Sequence, residues 1–382
     1  LRKYVELLID MLKFYTPSRR EEKLSHYIAQ RMNEFGFSNV YIDQVNNVIG
    51  SIGEGSPKIL LCGHLDTVPG YLKVQVNDKI VKGRGAVDAK SSFAAMLLAA
   101  AELNGMEGIG EVIIAAVTDE EGNGIGMKEL VSRGINADYA IFGEPSGLSN
   151  ITIGYKGRIS FKIIAKGRGA HAGSPWVGVS AVEPVFKAWE AIKNYSKRHE
   201  IENNKYDSLT SCLTMIRGGT SHNIVPENCE AVIDVRVPPR MRCFEVIRDL
   251  NIVINELKKE LPPDVDITLK VLDMTEPFEA DKRSIVVRGL SIAAYEVLGK
   301  GATLVKKTGT GDMNVLGNAL RIPVVTYGPG NSHLSHTNNE FIEIKEYLQG
   351  IQIYKRAVYH INRLHNKMKE HEKLKNQKEK AL

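Results

Sequence analysis

The chain has 382 residues, 43% of them hydrophobic, which is enough to bury a sizeable core in two or three domains. Lys and Arg number 50 against 45 Asp and Glu, so the net charge is +5. That is too small and too scattered to argue for nucleic acid, though it suits an acidic partner. No apolar run reaches the roughly 18 residues of a membrane span, and no signal-peptide pattern is present. Cys62, Cys212, Cys229 and Cys243 lack CxxC or disulfide-framework spacing. The expectation is a cytoplasmic protein, not membrane-bound, whose cysteines are core residues rather than ligands.

In chain order, Ser18 and Glu21 have capping-box spacing after Pro17, and Leu24, Ile28, Met32 and Phe35 recur at helical intervals up to Gly36. This predicts a first helix. Strand-like stretches follow at Val40 to Val45 and Val48 to Ile52, then a buried strand from Lys58 to Cys62 that runs into Gly63 and His64. Ser91 to Leu103 reads as an Ala- and Leu-rich helix, Glu111 to Val117 as a strand, Met127 to Arg133 as a helix and Tyr139 to Phe142 as a strand. Such alternation predicts an α/β fold with a mostly parallel sheet.

From Gly154 the character changes. IGYKGRISFKIIAKG, a helix from Val179 to Arg198, the strands LTMIRGG and CEAVIDVRV, a helix from Cys243 to Leu257 and the strand ITLKVLD form a β-α-β-β-α-β pattern. It predicts an inserted ferredoxin-like α+β domain over 154–273, splitting the larger domain into 1–153 and 274–382. The α/β pattern resumes with a helix from Ser284 to Leu298, the TGTGDMN loop, the strand IPVVTYG and a helix from Ile344 to about Leu364. The Lys- and Glu-rich tail from Lys367 to Lys380 continues as a solvated helix or frays.

Polar residues gather at the strand ends. His64 and Asp66 in GHLD place an imidazole and a carboxylate on one side of an extended chain, one to ligate and the other to orient it. Asp88, in GRGAVDAK just before a helix, can bridge two cations. Asp119, Glu120 and Glu121 follow a buried strand directly, and such a cluster repels itself without a cation. There, one carboxylate can ligate while its neighbour takes a proton from water. Glu144 ends another strand, and His333 and His336 lie in the late loop GPGNSHLSHTNNE. Each element alone also fits a plain surface feature, but their joint placement points to a two-metal hydrolase. Histidines with carboxylates suit zinc, cobalt or manganese better than magnesium.

Taken together, GHLDTV, GRGAVDAK, TDEEGN, GEP and SHTNNE resemble the M20 metallopeptidase family of aminoacylases, carboxypeptidases and deacylases, over nearly the whole chain and in that family's order. The resemblance implies a catalytic α/β domain holding two divalent ions, Zn2+ or Co2+, and a smaller lid domain that commonly mediates homodimerisation. It makes His64 and Glu144 ligands of one ion, Glu121 and His336 ligands of the other, Asp88 the bridge, Asp66 the support of His64 and Glu120 the general base. His336 is preferred to His333 because the family's ligand lies a few residues before an acid, here Glu340.

In the lid, GRGAHAGSP resembles the segment whose histidine, here His171, polarises the scissile carbonyl. Asn223, Arg236 and Thr310 correspond to residues that contact substrate; Ser180 stands where the family often has Asn. LLCGHLDTVPGY, IGYKGR, KTGTGDMNVLG and YGPGNSHLSHT look most like the lysine and ornithine hydrolases of carrier-protein amino acid biosynthesis. These free lysine or ornithine from the terminal glutamate of a small acidic carrier. Acetylornithine deacetylase or succinyl-diaminopimelate desuccinylase activity is the nearest alternative. A metal scaffold without catalysis leaves Glu120 unexplained, and a Cys62 nucleophile leaves the acidic cluster unexplained.

Overall fold

Apolar, β-branched strands that alternate with helical segments can bury both faces only inside a covered sheet. In the computed structural model, which describes residues 2–380, that sheet runs in the order Ser38–Ile42, Val48–Ile52, Val112–Val117, Ile59–His64, Tyr139–Gly143, Val324–Tyr327, Asn150–Tyr155. Four central neighbours, from Val112–Val117 to Val324–Tyr327, are parallel, and the outer pairings are antiparallel. The helix Lys90–Ala101 is buried on almost every side, which explains why its sequence is apolar all round rather than amphipathic. The α/β class is the one the alternation predicts.

The chain divides into two units. The first holds 1–153, 280–305 and 315–382; the second holds 154–279 and 306–314. In the second, a four-stranded antiparallel sheet runs Thr210–Gly218, Asn228–Val237, Gly157–Lys166, Asp266–Thr275. The apolar stripes of the helices Val182–Arg198 and Cys243–Lys259, with Val185, Ile192, Val246 and Ile254 among them, pack on Ile159, Phe161, Ile233 and Val235. Residues 306–314, placed by sequence with the larger domain, belong to the second unit. Their anchor is the Lys156 carbonyl, which accepts from Thr310 Oγ1 at 2.8 Å and Asn314 Nδ2 at 3.2 Å.

Several local expectations are corrected. A helix Arg2–Lys13, not read from the sequence, precedes the first expected one and buries Val5, Leu8, Met11 and Leu12. Ser18 and Glu21 do not form a capping box: the helix Glu22–Glu34 begins without a side-chain cap. Ser18 Oγ instead donates to Asp66 Oδ2 at 2.7 Å, and Glu21 Oε1 accepts the Asp119 amide at 3.0 Å. Cys62, Cys229 and Cys243 are buried, whereas Cys212 is exposed on an edge strand. The last helix runs from Ile344 to Lys380 without a break.

The turn that carries Asp88 is held from a distance in sequence. Glu340, 1% exposed, receives at Oε1 the amides of Gly85 (2.9 Å), Val87 (2.9 Å) and Asp88 (3.1 Å), and at Oε2 the Arg84 guanidinium (2.9 Å). One buried carboxylate thereby ties the loop of His336 to the loop of Asp88. Replacing Glu340 with Gln takes the counter-charge from buried Arg84, which keeps the carbonyls of Gly70 and Thr337, and turns an amide N–H either on the backbone donors or on the guanidinium, a change that costs about 3 kcal/mol or more. Denaturant unfolding should show that loss; a change below about 1 kcal/mol would mean the turn is held by other contacts.

Candidate metal centre

His64, Glu120, Glu121 and Glu144 sit where parallel strands end, the usual location of sites in open α/β sheets, whereas Asp88 stands on the turn before the helix Lys90–Ala101 and His336 in the long loop after Val324–Tyr327. His64 is the last residue of Ile59–His64, Glu120 and Glu121 follow Val112–Val117, and Glu144 follows Tyr139–Gly143. The acidic turn is tight: the Asp119 carbonyl accepts the Gly124 amide at 2.7 Å, and Asp119 has φ +58°. A Cβ on Gly122 would lie 2.3 Å from Asp119 Oδ1, so any larger residue there would push the Asp119 side chain aside. Gly328 has a related role, since a Cβ would meet the Glu144 carbonyl at 2.6 Å where the strand ends approach.

The donors converge on two triads that share Asp88. His64, Asp88 and Glu144 form one, and Asp88, Glu121 and His336 form the other; within each, the donor atoms all lie within 4.8 Å of one another. His64 Nε2 stands 3.4 Å from Asp88 Oδ1 and 3.6 Å from Glu144 Oε1. His336 Nε2 stands 3.2 Å from Asp88 Oδ2 and 2.8 Å from Glu121 Oε1. His64, Glu120 and Glu121 form a further close group, which puts the Glu120 carboxylate beside the shared space. His333, the other histidine of the late loop, is exposed and joins no such group among the described residues.

The separations of 3.2, 3.4 and 3.6 Å fit a cation, whereas His336 Nε2 and Glu121 Oε1 at 2.8 Å share a hydrogen bond. Two donors about 2.1 Å from one ion at the tetrahedral angle stand roughly 3.4 Å apart. The buried Nε2 of His64 has no hydrogen-bond partner. Its Nδ1 is 2.9 Å from the Asp66 carbonyl, which can only accept, so Nδ1 carries a proton and Nε2 is the ring atom aimed at Asp88 and Glu144, free to offer its lone pair to a cation once it loses its own proton.

Asp66, expected to support His64 through its carboxylate, does more. Its Oδ1 is 3.5 Å from His64 Nδ1, but the two oxygens accept the amides of Glu120 and Glu121, each at 3.0 Å. One fully buried carboxylate thus positions both the imidazole and the acidic turn.

The electrostatics show the same demand for positive charge. Burial pulls the His64 imidazole down, but Asp66, Asp88 and Glu144 outweigh it and raise the group well above its ordinary range. The Asp88 carboxylate chiefly raises His336, to about 9, against the opposing effect of burial. Burial pushes Asp88 up, yet the two imidazoles hold it well below the usual carboxylate range; burial raises Glu121. Protonated imidazoles here neutralise what a metal would neutralise, so cation uptake must release protons.

Other residues were not anticipated from sequence. Lys90 is fully buried, donates to the carbonyls of Met11 (3.3 Å) and Phe14 (2.9 Å), and is pulled down to about 7 by burial. Arg84 and Glu340 brace the Asp88 turn. Within the second unit, the His171 Nδ1 accepts the Gly173 amide at 2.9 Å, which leaves the neutral ring's proton on Nε2. Asn223 lies beside it, its carbonyl accepting the Ala172 amide at 2.8 Å. Arg236 bonds Asp234 Oδ1 at 2.6 Å and Thr310 Oγ1 at 3.2 Å, so these two expected residues meet. Ser180 Oγ accepts the Val182 amide at 3.2 Å.

Comparison with known proteins agrees with this geometry. Residues 60–360 match the model of peptidase family M20/M25/M40. A LysW-lysine/LysW-ornithine hydrolase of Saccharolobus islandicus (strain M.16.4 / Kamchatka #3) is 34% identical over 359 residues, covering 94% of this chain and 95% of the relative. The protein of the same name from Saccharolobus solfataricus is 32% identical over the same shares of both chains. In structure the chain is similar to a tripeptidase from Staphylococcus aureus (TM-score 0.80, 21% identity, 95% of this chain and 98% of that one). It is also similar to an M20 family metallo-carboxypeptidase from Sulfolobus solfataricus (TM-score 0.77, 17% identity, 95% and 100%). With the family model spanning most of the sequence and relatives aligned nearly end to end, the chain belongs to peptidase family M20/M25/M40 and is a metal-dependent hydrolase of amide bonds.

Proposed function

We propose that this protein frees lysine, ornithine or both by hydrolysing the amide that joins the amino acid to the terminal glutamate of a small acidic amino-group carrier protein, in the cytoplasm, with two Zn2+ or Co2+ ions. The reaction rests above all on one observation: two His-carboxylate triads that share Asp88, with Glu120 beside them. The substrate reading rests on the relatives' names over nearly the full length. The net charge of +5 suits an acidic partner.

In this reading His64, Asp88 and Glu144 hold one ion, and Asp88, Glu121 and His336 hold the other. Bound there, the ions supply an acidified water and a Lewis acid for the scissile carbonyl. Glu120 accepts the proton of the attacking water and delivers it to the leaving α-amine, so that a carboxylate and a free amino acid result. Asp66 keeps that carboxylate in place by holding the Glu120 amide.

The resemblance gives His171 a carbonyl to polarise, and a ring with its proton on Nε2 can donate the required hydrogen bond. Asn223, Arg236 and Thr310 are read as substrate contacts, with Arg236 offering a fork to a carboxylate. A homodimer through the second unit is part of the same reading, supported by exposed Trp176, Phe186 and Phe244 on that unit.

Removing the base tests the mechanism. Glu120→Gln should lower kcat by about 10²–10⁴-fold while metal content, measured by mass spectrometry, stays as in the parent; unchanged turnover would refute the assignment. Chelation should abolish amide cleavage and Zn2+ or Co2+ should restore it, whereas activity that survives verified metal removal would overturn the two-metal reading. Substrate choice is tested by offering carrier-linked lysine, carrier-linked ornithine and N-acetylornithine to the holoenzyme. A higher kcat/KM for a carrier-linked substrate is expected, and preference for N-acetylornithine would favour a deacetylase instead.

A further inference from the structure

The acidic turn that carries Glu120 is tied down along its whole backbone. Every amide from Thr118 to Gly124 has an acceptor. Asn47 Oδ1 takes that of Thr118 (3.0 Å), Glu21 Oε1 that of Asp119 (3.0 Å), and the two oxygens of Asp66 those of Glu120 and Glu121. Asp119 itself takes the remaining three, those of Gly122 and Gly124 on its carbonyl and that of Asn123 on Oδ2. Glu21 and Asp66 thus grip residues 119, 120 and 121, so the backbone of Glu120 is fixed directly and on both sides.

One short segment near the start of the chain stands behind both grips. The Thr16 carbonyl accepts the Thr67 amide at 2.9 Å, Thr16 Oγ1 donates to the Leu65 carbonyl at 2.8 Å, and Pro17 forms a parallel bridge with Thr67. This pairing lays Ser18 beside Asp66, where its Oγ donates at 2.7 Å to Oδ2, the oxygen that also takes the Glu121 amide. The chain then turns back: Arg19 has φ +71°, and the Arg20 amide donates to the Pro17 carbonyl at 2.9 Å. Such a φ in a residue other than glycine persists only where the surroundings fix it. The turn carries Glu21, 2% exposed, to a point where Oε1 accepts the Arg19 amide (2.9 Å) together with that of Asp119.

These polar groups do nothing for their own helix, because Glu22–Glu34 begins without a side-chain cap. They are spent on the acidic turn instead. Asp66, holding only two amides of one turn, could rotate its carboxylate and let that turn shift with it; a third donor from a different segment fixes the carboxylate plane. Glu21 does the same for the residue before Glu120. A base works only when its oxygen lies within hydrogen-bond reach of the proton it takes, and a misplacement of about 1 Å can cost about 10²-fold in rate.

We propose that, with Glu120 as the general base of the reading above, Ser18 and Glu21 are positioning residues for the hydrolysis. They act only through the backbone of the acidic turn, Ser18 by way of Asp66 and Glu21 by way of the Asp119 amide.

The test is a set of double-mutant cycles on the metal-loaded enzyme, with whichever of carrier-linked lysine, carrier-linked ornithine and N-acetylornithine it turns over best. Ser18→Ala, Ser18→Thr, Glu21→Ala and Glu21→Gln are each made alone and together with Glu120→Gln, and metal content and melting temperature are recorded for all. Each alanine variant should lower kcat about tenfold with KM within about twofold of the parent and metal content unchanged. Ser18→Thr keeps the hydroxyl and Glu21→Gln keeps an acceptor oxygen, so both should retain most of kcat. Combined with Glu120→Gln, the alanine changes should lower kcat no further, because what they position is already gone. Ser18→Ala leaves Asp66 its two amide bonds and Glu21 intact, which makes it the variant to rely on should Glu21→Ala fold poorly. Alanine variants with kcat within twofold of the parent, or with the same loss whether or not Glu120 is present, or with a loss that follows metal content, would overturn the proposal. Full turnover by Glu120→Gln alone would overturn the base assignment itself.

Discussion

The constraint on which the catalytic unit depends is mutual repulsion among carboxylates. Asp66, Glu120, Glu121 and Glu144 follow the ends of neighbouring strands and Asp88 reaches the same space from a turn before a helix, and in a partly buried setting such charges cannot all stay ionised without positive charge between them. Two imidazoles supply part of it, and the geometry leaves cation-sized separations for the rest. A fold that forces this arrangement must hold it against the repulsion. The holding contacts are specific: Asp66 grips the amides of Glu120 and Glu121, and Glu340 grips those of Gly85, Val87 and Asp88.

This division explains a pattern in the backbone. His336 has φ +65° and Asp119 +58°, conformations that cost a non-glycine residue of order 1–3 kcal/mol. Both occur beside the converging donors, and each is fixed by a contact of its own loop. The Asp119 amide is taken by Glu21, and the loop of His336 ends on the buried Glu340. The strain is the expense of aiming side chains from a turn and a loop into a space that regular strands only border. Strands place His64 without strain because it is still in regular register.

How much of this was legible in the sequence follows from the same logic. Donor residues announce themselves, because acids and histidines directly after apolar strands are chemically conspicuous, and His64, Asp88, Glu121, Glu144 and His336 do meet. The residues that hold them do not. Ser18 and Glu21 have the spacing of a helix cap, and nothing local reveals that Asp66 and the Asp119 amide, 48 and 98 residues away, compete for them and win. Glu340 served in the sequence only as a spacing marker for His336. Lys90 stood in the GRGAVDAK motif with no role of its own, yet it is a buried ammonium answering the carbonyls of Met11 and Phe14, in a helix and its exit that the apolar pattern did not flag.

The second unit shows the same limit at a larger scale. Its β-α-β-β-α-β order was readable because alternation of polar and apolar residues along Asn228–Val237 is nearly perfect. The return of 306–314 to that unit was not, since it depends on long-range bonds: the Lys156 carbonyl accepts from Thr310 and Asn314, and Asn314 also donates to the Glu276 carbonyl. Lys156 itself is buried, with its ammonium spent on the carbonyls of Lys205 and Ser208 and on Thr210. Those bonds fix its backbone, its backbone fixes Thr310, and Thr310 meets Arg236. A guanidinium tethered through such a chain has surrendered its side-chain entropy on folding, so in the proposed reading it would lose little freedom on meeting a carboxylate. The clustered acids of the first unit and Arg236 of the second are therefore positioned by one physical device: a buried polar residue, Asp66 or Glu340 in the one and Lys156 in the other, that leaves its neighbour only one place to point.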